Sequence, residues 1–407
     1  MKKIIFCFVC ICVLLQMLGG CVLVPKNQVK EQPETTRQNA QPADGSQAFV
    51  RSVWIAYYEL GEWTNAAKDA QAFQNSMTEI FEKVKAFGFN TVTVQVRPCA
   101  DAFYDSAYFP VSHYCFKDGK LRFDPLSVLC SVADTTGLRI EAWINPYRIS
   151  QNTDSYPVPQ QFADMAYSVG KGAYLNPANS EVQALIAKGA AEIAKNYSID
   201  AIHFDDYFYP TAEKEIDAKE YAAYQESGGE LALDDWRRQT VTSMVEAVQK
   251  AVSQANASVQ FGISPSGNIE YCRDSIYADV ESWAAGDILD YICPQLYYGF
   301  LNESLPYEQT LQHWCEITEK PALYVGLPLY KSGKEDDYAS ADNDKAISEF
   351  QDNTDVIVRQ AKAAAASENV RGIYIFSYSS VFAPENEQQK KEAENLRQYF
   401  AQTNAAG

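Results

Sequence analysis

Two adjacent carboxylates, Asp205 and Asp206, follow the apolar and aromatic stretch Ala201-Ile202-His203-Phe204. Acids that emerge together from a hydrophobic strand resist ionising together, so their pKa values separate. Glycosidic cleavage uses that separation: one carboxyl stays protonated for the leaving oxygen, and an anion stabilises the oxocarbenium-like state. The competing readings are a metal site, or a paired acid that holds Arg97 or Arg148. A metal is disfavoured, because the chain has three histidines, His113, His203 and His313, and no HExxH. The spacing therefore predicts catalysis by Asp205 and Asp206, with no metal and no cofactor.

The elements that must position this pair follow from patterning. Eight β-branched or aromatic runs occur, at 50–58, 90–98, 139–148, 201–210, 259–267, 291–298, 322–330 and 372–380. Helical stretches alternate with them, over about 66–86, 125–136, 177–196, 231–256, 275–285, 307–318, 352–367 and 386–402. Asp124-Pro125 and Asn176-Pro177 each predict a cap followed by proline at the first helical position. Gly88 and Gly137 predict helix stops. Strict alternation predicts parallel strands with right-handed crossovers, closing over 49–402 into a (β/α)8 TIM barrel with insertions in the βα loops. The rival is an open doubly wound sheet, which would carry a glycine-rich loop after its first strand. Tyr57-Tyr58-Glu59-Leu60-Gly61 stands there instead.

In such a barrel the reacting residues sit at the C-terminal ends of the strands. Those ends carry Tyr57, then Gln95 and Arg97, then Trp143, Asn145, Tyr147 and Arg148. The fourth adds His203 and Tyr207 to the acids. The fifth to seventh add Ser264, Gln295, Tyr297 and Tyr330, and the eighth Ser377 and Tyr378. Flat aromatic faces for rings and amides or charges for hydroxyls suit a polysaccharide. For any single tyrosine, simple packing explains its place as well.

With 53 Asp+Glu against 34 Lys+Arg the formal net charge is −19. A chain this acidic, without a basic cluster, excludes nucleic acid as a partner. Lys2 and Lys3, the apolar run Ile4 to Leu15, and Leu18-Gly19-Gly20-Cys21 resemble a lipoprotein signal. The expectation is a signal peptide over 1–20, a lipidated Cys21 anchoring the chain outside the cytoplasmic membrane, and a polar tether over 21–48. Cleavage before Cys21 removes Lys2 and Lys3 and takes the net charge to −21. Cys99, Cys115, Cys130, Cys272, Cys293 and Cys315 lack metal spacing. A Cys99–Cys115 bridge stays open at this level. The domain is read as a monomer.

Several motifs carry a resemblance. Chitinase-type barrels show DxxDxDxE on the fourth strand, but here Tyr207 stands where the acid would be. The adjacent pair is more similar to the aspartates of substrate-assisted N-acetylhexosaminidases, in which one orients the 2-acetamido group and the next is the acid. Arg51-Ser52-Val53-Trp54, Asn90 through Pro98, Asp124-Pro125-Leu126 and Ala142 through Arg148 together resemble the glycosyl hydrolase-like 10 family. Tyr174-Leu175-Asn176-Pro177, His203 through Tyr207, Ile263-Ser264-Pro265 and Pro294 through Tyr297 continue the match in order. Departures are Glu141, where the family commonly has His, and Ser266-Gly267-Asn268, where it often has Phe-Gly after Ser-Pro.

The resemblance implies a (β/α)8 envelope lipoprotein that hydrolyses glycosidic bonds, on peptide-free peptidoglycan strands above all. On that reading Asp206 is the general acid and Asp205 the acetamido-orienting or nucleophilic carboxylate. His203 and Tyr207 tune the pair, and Trp143 and Tyr297 stack. Gln95, Arg97, Asn145 and Gln295 bind polar groups, and Arg97 or Arg148 reads the lactyl carboxylate of muramic acid. The alternatives are a non-catalytic glycan-binding lipoprotein and a purely structural anchor.

Overall fold

A computed structural model describes residues 48–116 and 118–405. The expected signal peptide, Cys21 and nearly all of the tether lie outside them. Eight parallel strands close into a barrel: β1 (Val50–Ile55), β2 (Thr91–Arg97), β3 (Arg139–Ile144), β4 (Ala201–Phe204), β5 (Gln260–Ile263), β6 (Tyr291–Ile292), β7 (Ala322–Leu327) and β8 (Val370–Ile375). Each pairs with its sequence neighbours, and β8 closes on β1 through Val50↔Gly372 to Val53↔Ile375. This is the (β/α)8 architecture that alternation predicts.

Period-two alternation sorts side chains between two layers. On β1, Val53 and Ile55 face the helices, whereas Val50 and Trp54 face the barrel axis. On β4, Ile202 and Phe204 face outward and Ala201 inward. The outer layer is aliphatic and aromatic, packed under helices such as Ala70–Phe87, Ser180–Asn196 and Leu233–Ala255. The inner layer is crowded with rings, Tyr291, Tyr324 and Tyr374 beside Trp54. Glycines make the room: a Cβ on Gly262 would collide with the Tyr291 ring, and one on Gly326 would stand 2.9 Å from Trp54.

Local chemistry sets the boundaries. Asp124 accepts from the Ser127 amide at 2.9 Å and opens the helix Pro125–Thr136, as its spacing predicts. Gly88 and Gly137 end their helices with φ of +116° and +70°. Asn176 behaves otherwise. Its side chain turns the backbone at Ala178, and Asn179 caps the helix, which starts at Ser180. The first run also ends early. Tyr57–Ala66 is helical, because the Glu59 carboxylate accepts from the Ala56 amide at 2.7 Å and caps it.

Two insertions rise on the C-terminal side. After β3, Arg148–Ser150, Gly172–Leu175 and Ala166–Val169 form a small antiparallel sheet. After β4, a long connection is tied down by the buried pair Asp217–Arg237, with Arg237 also donating to the carbonyls of Ala212 and Glu213. Cys99, Cys115, Cys272, Cys293 and Cys315 are free thiols, so Cys99 and Cys115 do not form a bridge. No helix among the described residues is long and apolar enough to cross a membrane.

Candidate active site

At the C-terminal mouth of the barrel lies a cavity of about 380 Å³. β4 ends just beneath it. Inward alternation continues from His203 to Asp205, so the Asp205 carboxyl enters the cavity floor and is 2% exposed. Its Oδ2 accepts from Trp143 Nε1 at 2.9 Å and from Asn145 Nδ2 at 3.2 Å. The orientation of Asn145 is fixed, because its Oδ1 accepts from the backbone amides of Arg148 and Tyr147. With two donors on Oδ2, any proton on Asp205 sits on Oδ1, which is buried without a partner.

Burial pushes the Asp205 carboxyl up to about 7, Arg148 opposes that, and the neighbouring Asp206 adds to it. Asp206 is half-buried and lines the cavity. Burial raises its pKa as well, while a hydrogen bond with the Gln295 side chain lowers it. The same Gln295 donates Nε2 to the Ser264 carbonyl at 2.9 Å, which locks the amide between β5 and β6. Adjacent carboxyls that interact in this way titrate as a pair and not singly.

Among the described residues, Arg148 is the only cation that lines the cavity. Its Nε donates to the Pro98 carbonyl at 2.9 Å, and the guanidinium lies 5.2 Å from the Tyr207 ring and 5.9 Å from that of Tyr57. Tyr57, Gln95, Trp143, Tyr207, Ser264, Gln295 and Tyr297 line the same cavity.

Six expected rim residues sit elsewhere, among them Ser377 and Tyr378, which open the helix Tyr378–Phe382. Arg97 is displaced by a register shift between Gln95 and Arg97, which pairs Arg97 with the outward-facing Ile144. Its guanidinium packs on the Phe109 ring at 4.2 Å beneath Gly189, away from the cavity. Tyr147 is fully buried and does not line the cavity, and Asn145 acts one layer below through Asp205. His203 is also fully buried: Nε2 accepts from Trp54 Nε1 at 3.3 Å, leaving Nδ1–H to meet the Tyr291 hydroxyl at 3.0 Å. Burial lowers its pKa to about 3, so the imidazole is neutral.

Glu141 anchors that inner network. Its carboxyl accepts from Thr93 at 2.7 Å, Tyr374 at 2.8 Å and Tyr291 at 3.4 Å. Among the described residues no cluster of His, Cys, Asp or Glu could hold a metal ion.

The cavity also contains Trp54, Tyr58, Gln151, Tyr338 and Phe376, together with Tyr330 from the end of the seventh run. Trp54 could have been found, since alternation makes it the last inward side chain of β1. Gln151 and Tyr338 sit on insertions that periodicity does not reach. Gln151 donates to the Tyr57 hydroxyl at 3.3 Å.

A family model, described as "Glycosyl hydrolase-like 10", matches residues 49–341. The chain belongs to that family. Within the glycosyl hydrolase-like 10 family it is 32% identical over 311 residues to "Glycosyl hydrolase YngK" of Bacillus subtilis (strain 168), covering 69% of this chain and 61% of that protein. It is 28% identical over 345 residues to "Glycosyl hydrolase DigH" of Escherichia coli (strain K12), covering 74% and 76% respectively. The fold is similar to that of the PgaB (BpsB) glycoside hydrolase domain from Bordetella bronchiseptica, with a TM-score of 0.57 at 12% identity over 86% of this chain and 98% of that one.

Proposed function

We propose that this protein is a glycoside hydrolase of the bacterial envelope that cleaves N-acetylhexosamine-containing glycan, specifically peptidoglycan strands stripped of their peptides. The observation that carries the reading is the division of Asp205. One oxygen is saturated by Trp143 and Asn145, and the other is buried without a partner at the floor of an aromatic-walled cavity beside Asp206.

In the ionised form of Asp205, Oδ1 is suited to accept the N–H of a substrate 2-acetamido group. Asp206, with better access and a raised pKa, gives its proton to the glycosidic oxygen. As that bond breaks, the acetamide oxygen bonds to the anomeric carbon, and Asp205 stabilises the cationic ring that forms. Water then adds at the anomeric carbon and returns a proton to Asp206, which restores both the acetamide and the acid. The aromatic walls exclude water and stack on the sugar. Arg148, held by Pro98 and flanked by two tyrosines, is placed to pair with the lactyl carboxylate of a muramic acid residue. Lipidation at Cys21 would hold the enzyme at the outer side of the cytoplasmic membrane or its equivalent, next to this substrate.

The test is mass spectrometry of products from amidase-stripped glycan strands. Wild type is expected to release saccharides with new reducing ends, and Asp205→Asn and Asp206→Asn to lower the rate at least about 100-fold, the scale of a lost general acid. Tight binding of strands by wild type without any new reducing end would establish a binding protein instead. Arg148→Gln is expected to weaken cleavage of muramic-containing strands more than cleavage of chitin oligomers. An equal loss on both would assign Arg148 to Asp205 alone.

A further inference from the structure

Eight large apolar side chains are exposed among the described residues, and six are tyrosines: Tyr58, Tyr108, Tyr156, Tyr207, Tyr271 and Tyr338. They lie on the connections that follow β1 to β7, and Tyr58, Tyr207 and Tyr338 among them line the cavity. Single exposed apolar residues are ordinary on a soluble domain, whereas aromatic rings gathered round a cavity mark a binding surface.

The tyrosines fall into two groups on opposite arcs of the barrel mouth. Loops after β1, β2 and β3 supply the first. Tyr156 stacks on His113 at 3.5 Å, His113 lies 3.8 Å from Tyr114, and Tyr114 lies 4.5 Å from Tyr57, a cavity wall. Loops after β5, β6 and β7 supply the second. Tyr338 lines the cavity and lies 5.9 Å from Tyr298. Tyr271 is tied to the cavity wall: Asn268 accepts from its amide at 3.0 Å, and Ser266, two residues earlier, bridges to the cavity residue Gln295. Between the arcs β4 presents Asp205, Asp206 and Tyr207. The first arc meets the acid pair at Arg148, 5.9 Å from the Tyr57 ring, and the second at Gln295, which lines the cavity with Asp206.

These rings are held in position. Asp336 accepts from the Tyr338 amide at 3.0 Å and is itself paired with the buried Lys331, whose Nζ lies 4.0 Å from the Tyr338 ring. Asn302 donates to the Tyr338 carbonyl at 2.8 Å. On the other arc, His113 meets Asp101 at 3.1 Å and so fixes the surface on which Tyr156 rests. Fixed rings with polar tips suit pyranose faces better than they suit a continuous aliphatic protein partner.

We propose that the C-terminal face is an extended polysaccharide track, on which Tyr156 and Tyr271 bind sugar rings outside the cavity on either side of the acid pair. The track rests on the proposed glycan specificity, and it makes the enzyme select long chains and cut within them.

Tyr156→Ala and Tyr271→Ala, singly and together, test this on two probes: long amidase-stripped glycan strands and tetrasaccharides prepared from them. Each single variant is expected to lower the long-to-short ratio of kcat/KM roughly two- to tenfold, the scale of one aromatic contact. The double variant is expected to lower it by about the product. A ratio unchanged from wild type in both single variants overturns the track. Calorimetric binding to Asp206→Asn separates this from the chemistry. Long strands should bind that variant more tightly than tetrasaccharides, and adding either tyrosine substitution should reduce the difference. Equal affinity for both lengths overturns the track whether or not the wild type cleaves them. Circular dichroism of each variant confirms that the barrel is folded.

Discussion

Asp205 is costly to the fold in proportion to its readiness for chemistry. Its carboxyl keeps a proton to about pH 7 in the folded state, whereas an unfolded chain releases it near pH 4. The folded form therefore loses stability as pH rises from about 4 to about 7, and the loss persists above. Asp205→Asn keeps an oxygen for Trp143 and Asn145 and removes the charge. It is expected to raise stability at pH 8 by at most about 4 kcal/mol and to change it little at pH 4, as urea denaturation at the two values would show. A gain of equal size at both pH values would contradict the assignment. The place of the acid pair at the barrel mouth was legible in sequence, because the residues that follow an apolar strand emerge at its C-terminal end. Arg97 was not. The register shift that turns it toward the helices leaves no mark on residue types, so alternation alone placed it at the rim. Arg148 escaped that error, since it follows the strand and enters the cavity from the inserted sheet.

The strands were legible as elements because their outward residues are aliphatic and β-branched, and because alternation fixes what faces inward. Their C-terminal ends were less legible. Glu59 caps a helix that begins two residues after β1, and the aromatic run Tyr57-Tyr58 masked it. The hairpin Ala166–Val169 and Gly172–Leu175 turns at Gly170-Lys171, with Gly170 at φ +57°, a short turn signal lost inside a long insertion. The inner layer carries a prediction of its own. Gly262 leaves space for Tyr291, which meets His203 and Glu141, and His203 in turn accepts from Trp54 on the cavity wall. Gly262→Ala is expected to cost about 1–3 kcal/mol in urea denaturation through overpacking. It should also lower kcat, because the displaced ring pulls on the wall through two hydrogen bonds. Unchanged activity in a destabilised variant would show that the inner layer and the cavity are independent.

Over the whole molecule, charge and site point in different directions. Among the described residues the cavity is lined by two acids and one arginine, whereas the whole chain carries 53 acids. A surface of that sign repels an anionic strand at long range and is screened once the Debye length shrinks from about 30 Å at 0.01 M salt to about 8 Å at 0.15 M. KM for muramic-containing strands is thus expected to fall with added salt over that range, and KM for neutral chitin oligomers to stay level; steady-state kinetics at the two ionic strengths would decide it. The closure of β8 between β7 and β1 has a consequence of a different kind. The family match stops at residue 341, before β8 begins at Val370. A fragment trimmed to that match leaves two strands with bare hydrogen-bonding edges, and such edges recruit other chains. It is expected to aggregate where the fragment 48–405 stays in solution, as light scattering would report. During synthesis the same holds for every nascent chain: until Ile375 has left the ribosome there is no ring, and Asp205 and Asp206 have no cavity to enter.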